Sequence, residues 1–287
     1  MKIDVSCLGD LNLDVIFKNV FELDKSKDEQ YFCENVKIKV GGGVANFSIE
    51  LAKLGMKVRV IGCIGNDFLS DFIEEELRKF KIDLKVRRIN SSTGITIAFQ
   101  PSKENKLLLT YRGNNKFFSI EHIEMGDIKG EILYISGYNL LENLRKDISK
   151  IIKYAKEKNM IVCLDPDLKA GISFEKNEFF LLVKNVDVLF INEYELKKIS
   201  NSLEWFKGRT LVVKKGSKGA FAIEKGEKCE IDGIKLEKPM NTTGAGDVFN
   251  AAFLHHYYYG YDLIECLEFA NEEAVKYIKE INSNEEE

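Results

Sequence analysis

The chain has no Cys-x-x-Cys pair, no histidine cluster, no surplus of basic charge and no apolar run long enough to span a bilayer. Each absence removes a class of function. Its six cysteines (Cys7, Cys33, Cys63, Cys163, Cys229 and Cys266) are scattered, several of them in apolar strand-like runs. Buried reduced thiols are expected there, not disulfides or zinc ligands. His122, His255 and His256 have no metal-ligand spacing, and no catalytic histidine is expected. A net charge of −4 leaves no basic surplus to neutralise a nucleic-acid backbone, which excludes general nucleic-acid binding. Met1-Lys2-Ile3-Asp4-Val5 passes directly into a strand pattern, so a cytoplasmic protein with no membrane partner is expected. Gly-x-Gly-x-x-Gly is missing, and with it the dinucleotide-binding fingerprint of nicotinamide enzymes.

What is present is a chain of 287 residues with 45% hydrophobic content, enough to bury a sizeable core in one large or two smaller α/β domains. From about residue 130 strand patterns alternate with helical ones. Strands are expected at 132–136, 160–165, 187–191, 211–215 and 220–224, and helices at 144–158, 175–184, from Asn192, and twice more at the C-terminal end. Earlier, 57–64 reads as a strand and 67–80 as a helix capped by Asp67. The alternation predicts a mostly parallel sheet sandwiched between helices. The strand-rich stretches 11–40 and 91–114 do not fit it and are expected to form a small separate sheet, with a hairpin around Ser102-Lys103-Glu104-Asn105.

The most informative stretch is Asn241-Thr242-Thr243-Gly244-Ala245-Gly246-Asp247-Val248-Phe249, a polar turn that opens a helix. Two glycines there leave backbone N–H groups unscreened, and a helix N-terminus attracts anions. Asp247 would sit beside that anion, where a base can take a proton from a hydroxyl attacking phosphorus. The alternative is a plain helix start, with Thr242 or Thr243 as N-cap and Asp247 complementing the dipole. Two more stretches suit a ligand. In Asp10-Leu11-Asn12-Leu13-Asp14 the three polar residues share one face of a strand, fit for the hydroxyls of a polyol or for a solvated edge. Gly41-Gly42-Gly43-Val44-Ala45-Asn46 precedes a helix and lets a ligand approach the backbone closely, or is simply a flexible turn. Ligands of such sheets sit beyond the strand C-termini, where Asp10, Asp165, Asn192 and Lys214-Lys215-Gly216 fall.

The Gly-Gly-Gly-Val-Ala-Asn and Asn-Thr-Thr-Gly-Ala-Gly-Asp stretches together resemble the two signatures of the ribokinase-like (PfkB) carbohydrate kinases, in the family's order and over essentially the whole chain. Gly9-Asp10-x-Asn12-x-Asp14, Ile61-Gly62-x-Ile64-Gly65-x-Asp67, Thr93-Gly94, Asn192-x-x-Glu195 and Gly216-Ser217-Lys218-Gly219 are similar to other pieces of the family. The resemblance implies one three-layer α/β/α domain over 1–287, with the 11–40 and 91–114 strands as a lid that also makes a homodimer contact. It implies an ATP-dependent phosphotransferase acting on a hydroxyl of a sugar or nucleoside, with Mg2+. Asp247 is then the base, and Gly244, Ala245 and Gly246 are the anion hole. Asp14, Gly42, Gly43 and Asn46 bind substrate. Asn192, Lys214, Gly216, Gly219 and Asn271 hold nucleotide, and Glu195 organises magnesium through water.

Asn241 departs from the family's usual Asp, which puts potassium activation in doubt. Among acceptors, a keto-deoxy sugar acid would call for a cation such as Arg112. A nucleoside would call for a stacking wall such as Phe17, Tyr31, Phe99 or Tyr111. A non-catalytic sugar or nucleotide sensor on the same fold is the remaining alternative, and it would have no need of Asp247. The run from His255 to Tyr261 reads as core plus a helix end, and the Glu285-Glu286-Glu287 tail as disordered.

Overall fold

A computed structural model describes residues 2–18, 30, 32–100, 107–168, 172–200, 202–206, 210–236 and 241–283. The strands, in chain order, are β1 (Val5–Leu8), β2 (Asn12–Lys18), β3 (Asn35–Gly41), β4 (Val58–Ile64), β5 (Asp83–Arg88), β6 (Gly94–Gln100), β7 (Leu107–Tyr111), β8 (Ile132–Ser136), β9 (Ile161–Asp165), β10 (Val188–Asn192), β11 (Thr210–Lys214), β12 (Ala220–Glu224) and β13 (Glu227–Ile231). The helices are α1 (Gly43–Lys53), α2 (Phe68–Lys79), α3 (Asn114–Phe117), α4 (Glu142–Arg145), α5 (Ile148–Glu157), α6 (Lys176–Val183), α7 (Glu193–Ile199), α8 (Ala245–Tyr258) and α9 (Leu263–Ser283).

Nine strands form one sheet in the order β13-β12-β11-β10-β9-β8-β1-β4-β5. From β11 to β5 every pairing is parallel, and only the β11–β12 and β12–β13 pairings, at one edge, are antiparallel. Strands such as β8 are fully buried, and their alternation splits the interior in two. Tyr134 packs into one core with Phe47 of α1, Phe249 of α8 and Leu267 of α9. Leu133 and Ile135 pack into the other, with Ile148, Ile151 and Ile152 of α5 and Phe179 of α6. Helices thus cover both faces, giving the three-layer α/β/α architecture.

β13 was not legible in the sequence, because Glu-Lys-Cys-Glu-Ile is too polar to read as a buried strand. It is an edge strand, reached by a tight turn with Lys225 and Gly226 at φ 51° and 89°. The helix expected over 144–158 is broken into α4 and α5, separated by a turn at Lys146–Asp147 in which the Asp147 amide donates to the Leu144 carbonyl. Asp67 caps α2 as expected, accepting from the Ser70 amide.

A second, four-stranded sheet has the order β3-β2-β6-β7. Its register puts Leu13, Val15 and Phe17 of β2 in line with Val40, Ile38 and Val36 of β3 and with Ile95, Ile97 and Phe99 of β6. Leu107, Leu109 and Tyr111 of β7 continue those rows, so one face of the sheet is wholly apolar. The opposite face carries Asn12, Asp14 and Ile16, then Gly94, Thr96 and Ala98, then Thr110 and Leu108, and it is turned toward the C-terminal ends of the large sheet's strands. The expected hairpin turn at 102–105, Tyr31 and the 285–287 tail lie outside the described residues.

Candidate active site

A single cleft of ≈ 650 Å³ lies between that polar face and the ends of β8 to β11. Asp14, Gly42, Gly43, Asn46, Asn192, Glu195, Lys214, Gly244, Gly246 and Asp247 all line it. The chain brings them together because parallel strands deliver all their C-terminal ends to one side of the sheet.

At the centre is the start of α8. Its N-cap is Gly244 at φ 89°, with no side chain capping the helix. Neither Thr242 nor Thr243 fills that role, and Thr243 instead donates its hydroxyl to the Asn241 side chain at 2.7 Å. A left-handed N-cap suits glycine, since a Cβ there would stand 2.6 Å from the Tyr277 hydroxyl. The Ala245 amide is used internally, donating to the Thr242 carbonyl at 3.1 Å. Among the described residues the Gly244 and Gly246 amides have no backbone acceptor outside the helix, so they, and not Ala245, are the donors available to an anion.

Asp247 stands in the first turn of α8, and its Oδ2 accepts from Asn46 Nδ2 at 2.9 Å. Burial pushes its carboxyl up to about 7. The Asn46 hydrogen bond opposes that rise, Asp165 adds to it, and Lys214 partly offsets it. A Cβ on Gly43 would lie 3.4 Å from the other carboxylate oxygen, so the missing side chain keeps that oxygen open to the cleft. The preceding glycines are also needed for space. A Cβ on Gly42, at φ 92°, would collide with the Asp10 carbonyl, and one on Gly41 with the Asp14 carboxylate.

Lys214, ending β11, donates to Asp165 Oδ2 at 3.1 Å and to Asn250 Oδ1 at 2.9 Å. Its burial disfavours the charge, but Asp165, Glu195 and Asp247 outweigh that and hold the ammonium above its ordinary pKa. A Cβ on Gly246 would be 3.6 Å from Lys214 Nζ, which puts the ammonium beside the free amide. Asn250 also donates to Asp165 Oδ2 at 2.6 Å and to the Tyr134 hydroxyl at 3.1 Å.

Asn192 and Glu195 form a capping box on α7: Asn192 Oδ1 accepts from the Glu195 amide, and Glu195 Oε2 from the Asn192 amide, both at 2.9 Å. Glu195 Oε1 accepts from the Leu168 amide at 2.8 Å. Burial, with Asp165 adding to it, raises Glu195 to about 7. Each Glu195 oxygen thus accepts one backbone hydrogen bond and keeps a lone pair for a further partner such as water. Among the described residues no three His, Cys, Asp or Glu side chains gather closely enough to ligate a metal.

Gly216, Gly219 and Asn271 are outside this cleft. Gly219, at φ 92°, packs against the backbone of Ile231–Gly233, and Asn271 Nδ2 donates to the Asp232 carbonyl at 3.2 Å. Together with the Gly216–Lys218 turn, whose Ser217 backbone lies against Gly233, they form a group of their own.

A family model described as pfkB family carbohydrate kinase matches residues 2–286. The chain belongs to the pfkB family. It is 29% identical over 279 residues to a nucleoside kinase of Methanocaldococcus jannaschii, covering 91% of this chain and 86% of that one. The crystal structure of the M. jannaschii nucleoside kinase superimposes with a TM-score of 0.80, over 94% of this chain and 90% of that one at 26% identity. An ATP-dependent 6-phosphofructokinase of Thermoanaerobacterium thermosaccharolyticum is 26% identical, with coverage of 93% and 85%. A 5-dehydro-2-deoxygluconokinase of Listeria innocua is 28% identical, with coverage of 82% and 79%. This pfkB kinase is a phosphotransferase with an alcohol group as acceptor, and no helix among its described residues is long and apolar enough to cross a membrane.

The sequence reading of a stacking wall is corrected by the geometry of the small sheet. Phe17, Phe99 and Tyr111 belong to the apolar face turned away from the cleft. Phe17 and Phe99 stack on each other at 5.6 Å, and Tyr111 is exposed. The side chains in the cleft at those levels are Ile16, Ala98, Leu108 and Thr110, because odd and even residues of a strand face opposite ways. Sequence reasoning also missed Ser136, Asn115, Asn250 and Tyr277. Ser136, at the C-terminal end of β8, could have been found from the strand-end rule, whereas the others carry no local signal.

Proposed function

We propose that this pfkB kinase transfers the γ-phosphoryl of ATP to a hydroxyl of a small polyol with Asp247 as the base. The observation that carries the reading is Asp247 itself: a carboxylate raised to about 7, oriented by Asn46 and placed in the same first helical turn as the Gly244 and Gly246 amides, which have no backbone acceptor among the described residues. The acceptor hydroxyl lies on the Gly43 side of Asp247, with Asp14 and Asn46 holding neighbouring hydroxyls. Asp247 takes the hydroxyl proton, the oxygen attacks phosphorus in line, the bond to the β-phosphate oxygen breaks, and ADP departs. The Gly244 and Gly246 amides and the Lys214 ammonium receive the charge that develops on the phosphoryl oxygens. Magnesium, when bound, neutralises the nucleotide's phosphates. Asn192 and Glu195 would hold it through water, while Gly216, Gly219 and Asn271 would receive the base end of the nucleotide. Closure of the small sheet as a lid excludes water.

Arg112 supports a second reading, an acidic acceptor such as a keto-deoxy sugar acid. It lines the cleft, one N–H group binds Glu142 at 2.6 Å, and its buried Nη2 has no partner among the described residues. A substrate carboxylate would complete it. The sensor reading loses support because a protein that only binds has no use for a base poised near neutrality. We further infer a homodimer through the lid, whose outer face leaves Val36, Ile38, Leu107, Leu109 and Tyr111 exposed. A cytoplasmic location agrees with the free cysteines. The test is ADP release with ATP and magnesium across sugars, sugar acids and nucleosides. Turnover that survives Asp247→Asn would end the assignment.

A further inference from the structure

The loop that leads into α8 is held by residues of α9 that no motif contains. Asn282 brackets Asn241, accepting from its amide and donating to its carbonyl, both at 3.0 Å. One turn and a half earlier on α9, the Tyr277 hydroxyl donates to the Thr243 carbonyl at 3.1 Å. That hydroxyl also fills the space next to Gly244 that a side chain would otherwise need. On its other side it accepts from Lys39 Nζ at 3.3 Å. Lys39 belongs to β3 of the small sheet, directly across from Asp14.

We propose that Tyr277 is a positioning residue that couples the small sheet to the anion hole. Peptide 243–244 carries the carbonyl it binds and the Gly244 amide, so fixing one end of that rigid plane aims the other. Burial, followed by the nearby Asp247 and Asp14 carboxylates, keeps the phenol protonated and therefore a donor to Thr243. The Lys39 ammonium, donating to the same oxygen, strengthens that donor. When the small sheet carries Lys39 of β3 and Asp14 of β2 onto a substrate, the amides at 244 and 246 are aligned in the same movement. The inference rests on the reading of those amides as the phosphoryl site.

The test compares Tyr277→Phe, Lys39→Met and the double variant of the intact protein. Turnover is read as ADP release from ATP with whichever of D-ribose, D-fructose, D-gluconate or adenosine works fastest. Amide hydrogen exchange at 243–247 is read without any substrate. Tyr277→Phe should lower kcat by about 10- to 100-fold with KM for ATP within about twofold, the signature of a misaligned transition-state contact. It should also accelerate exchange at 243–247 while leaving β9 and β10 unchanged. Lys39→Met should lower kcat less, and adding it to Tyr277→Phe should cost nothing further. An unchanged kcat in Tyr277→Phe, additive losses in the double variant, or unaltered exchange at 243–247 would each overturn the coupling. Equal ADP release by wild type and Asp247→Asn would instead sink the reading of Asp247 as the base, and the exchange data would still decide whether the clamp exists.

Discussion

Asn46 Nδ2 lies 2.9 Å from Asp247 Oδ2, although 201 positions separate the two residues. The contact joins the first turn of α1 to the first turn of α8 and thereby ties the proposed substrate side of the cleft to the proposed base. Asn46→Ala should therefore damage more than substrate affinity. Loss of the hydrogen bond that favours the charged carboxylate should move the base's pKa further up. A kinetic pH profile of the variant, compared with wild type, checks this: its alkaline plateau should begin at higher pH.

In the wild type the same profile has a defined sign. Asp247 must be ionised to accept a proton, and its pKa is about 7. kcat/KM should rise with pH through about 7 and level off above it. A profile already flat from pH 5 would show that some other group limits the reaction.

Asp247→Asn should reduce kcat by ~10²–10⁴-fold while leaving ATP binding, measured by calorimetry, nearly unchanged. Its stability should move the other way. A carboxyl whose folded pKa is raised destabilises the fold progressively as pH climbs from its ordinary value near 4 through about 7. The neutral amide removes that cost. Scanning calorimetry should find the variant's Tm raised by at least about 2 °C at pH 8, with no gain at pH 4.

Potassium should not stimulate turnover. The Asn241 carbonyl already accepts from Asn282, and an amide stands at 241 in place of a carboxylate. ADP release in sodium and in potassium buffers of equal ionic strength should agree within about twofold. Asn282→Ala should cost about 1–3 kcal/mol in chemical denaturation, since it strips partners from both backbone groups of Asn241.

The outer, apolar face of the small sheet offers a test of the proposed association. Ile38 and Leu109 both flank the middle of that face and are exposed to 52% and 61%. Ile38→Lys with Leu109→Lys should convert a dimer to a monomer in sedimentation, with the protein still folded because neither residue is buried in the chain itself. A wild type that sediments as a monomer would remove the proposed contact.

Much of this protein was legible before any coordinates. Gly-Ala-Gly-Asp at 244–247 announced a helix start with an acid in its first turn. The strand runs at 132–136 and 160–165 announced a buried parallel sheet, and the capping box at Asn192 and Glu195 was readable from its spacing. These are properties of near neighbours along the chain, set by backbone sterics, dipoles and side-chain period. The parity of the small sheet was not readable in this way. Phe17, Phe99 and Tyr111 are candidates for the stacking wall that a nucleoside would need, and only the register of β2, β6 and β7 shows that they face outward while Ile16, Ala98 and Leu108 face in. The same holds for Asn250 reaching Asp165 and Lys214, and for Tyr277 reaching Thr243 and Lys39. The local pattern marked the glycines and the carboxylate at the start of α8, but it could not show that the Ala245 amide is taken by the Thr242 carbonyl while those of Gly244 and Gly246 stay open among the described residues. Tertiary structure alone decided which side chains aim them, because a hydrogen bond between residues far apart in the chain depends on sheet order and helix packing.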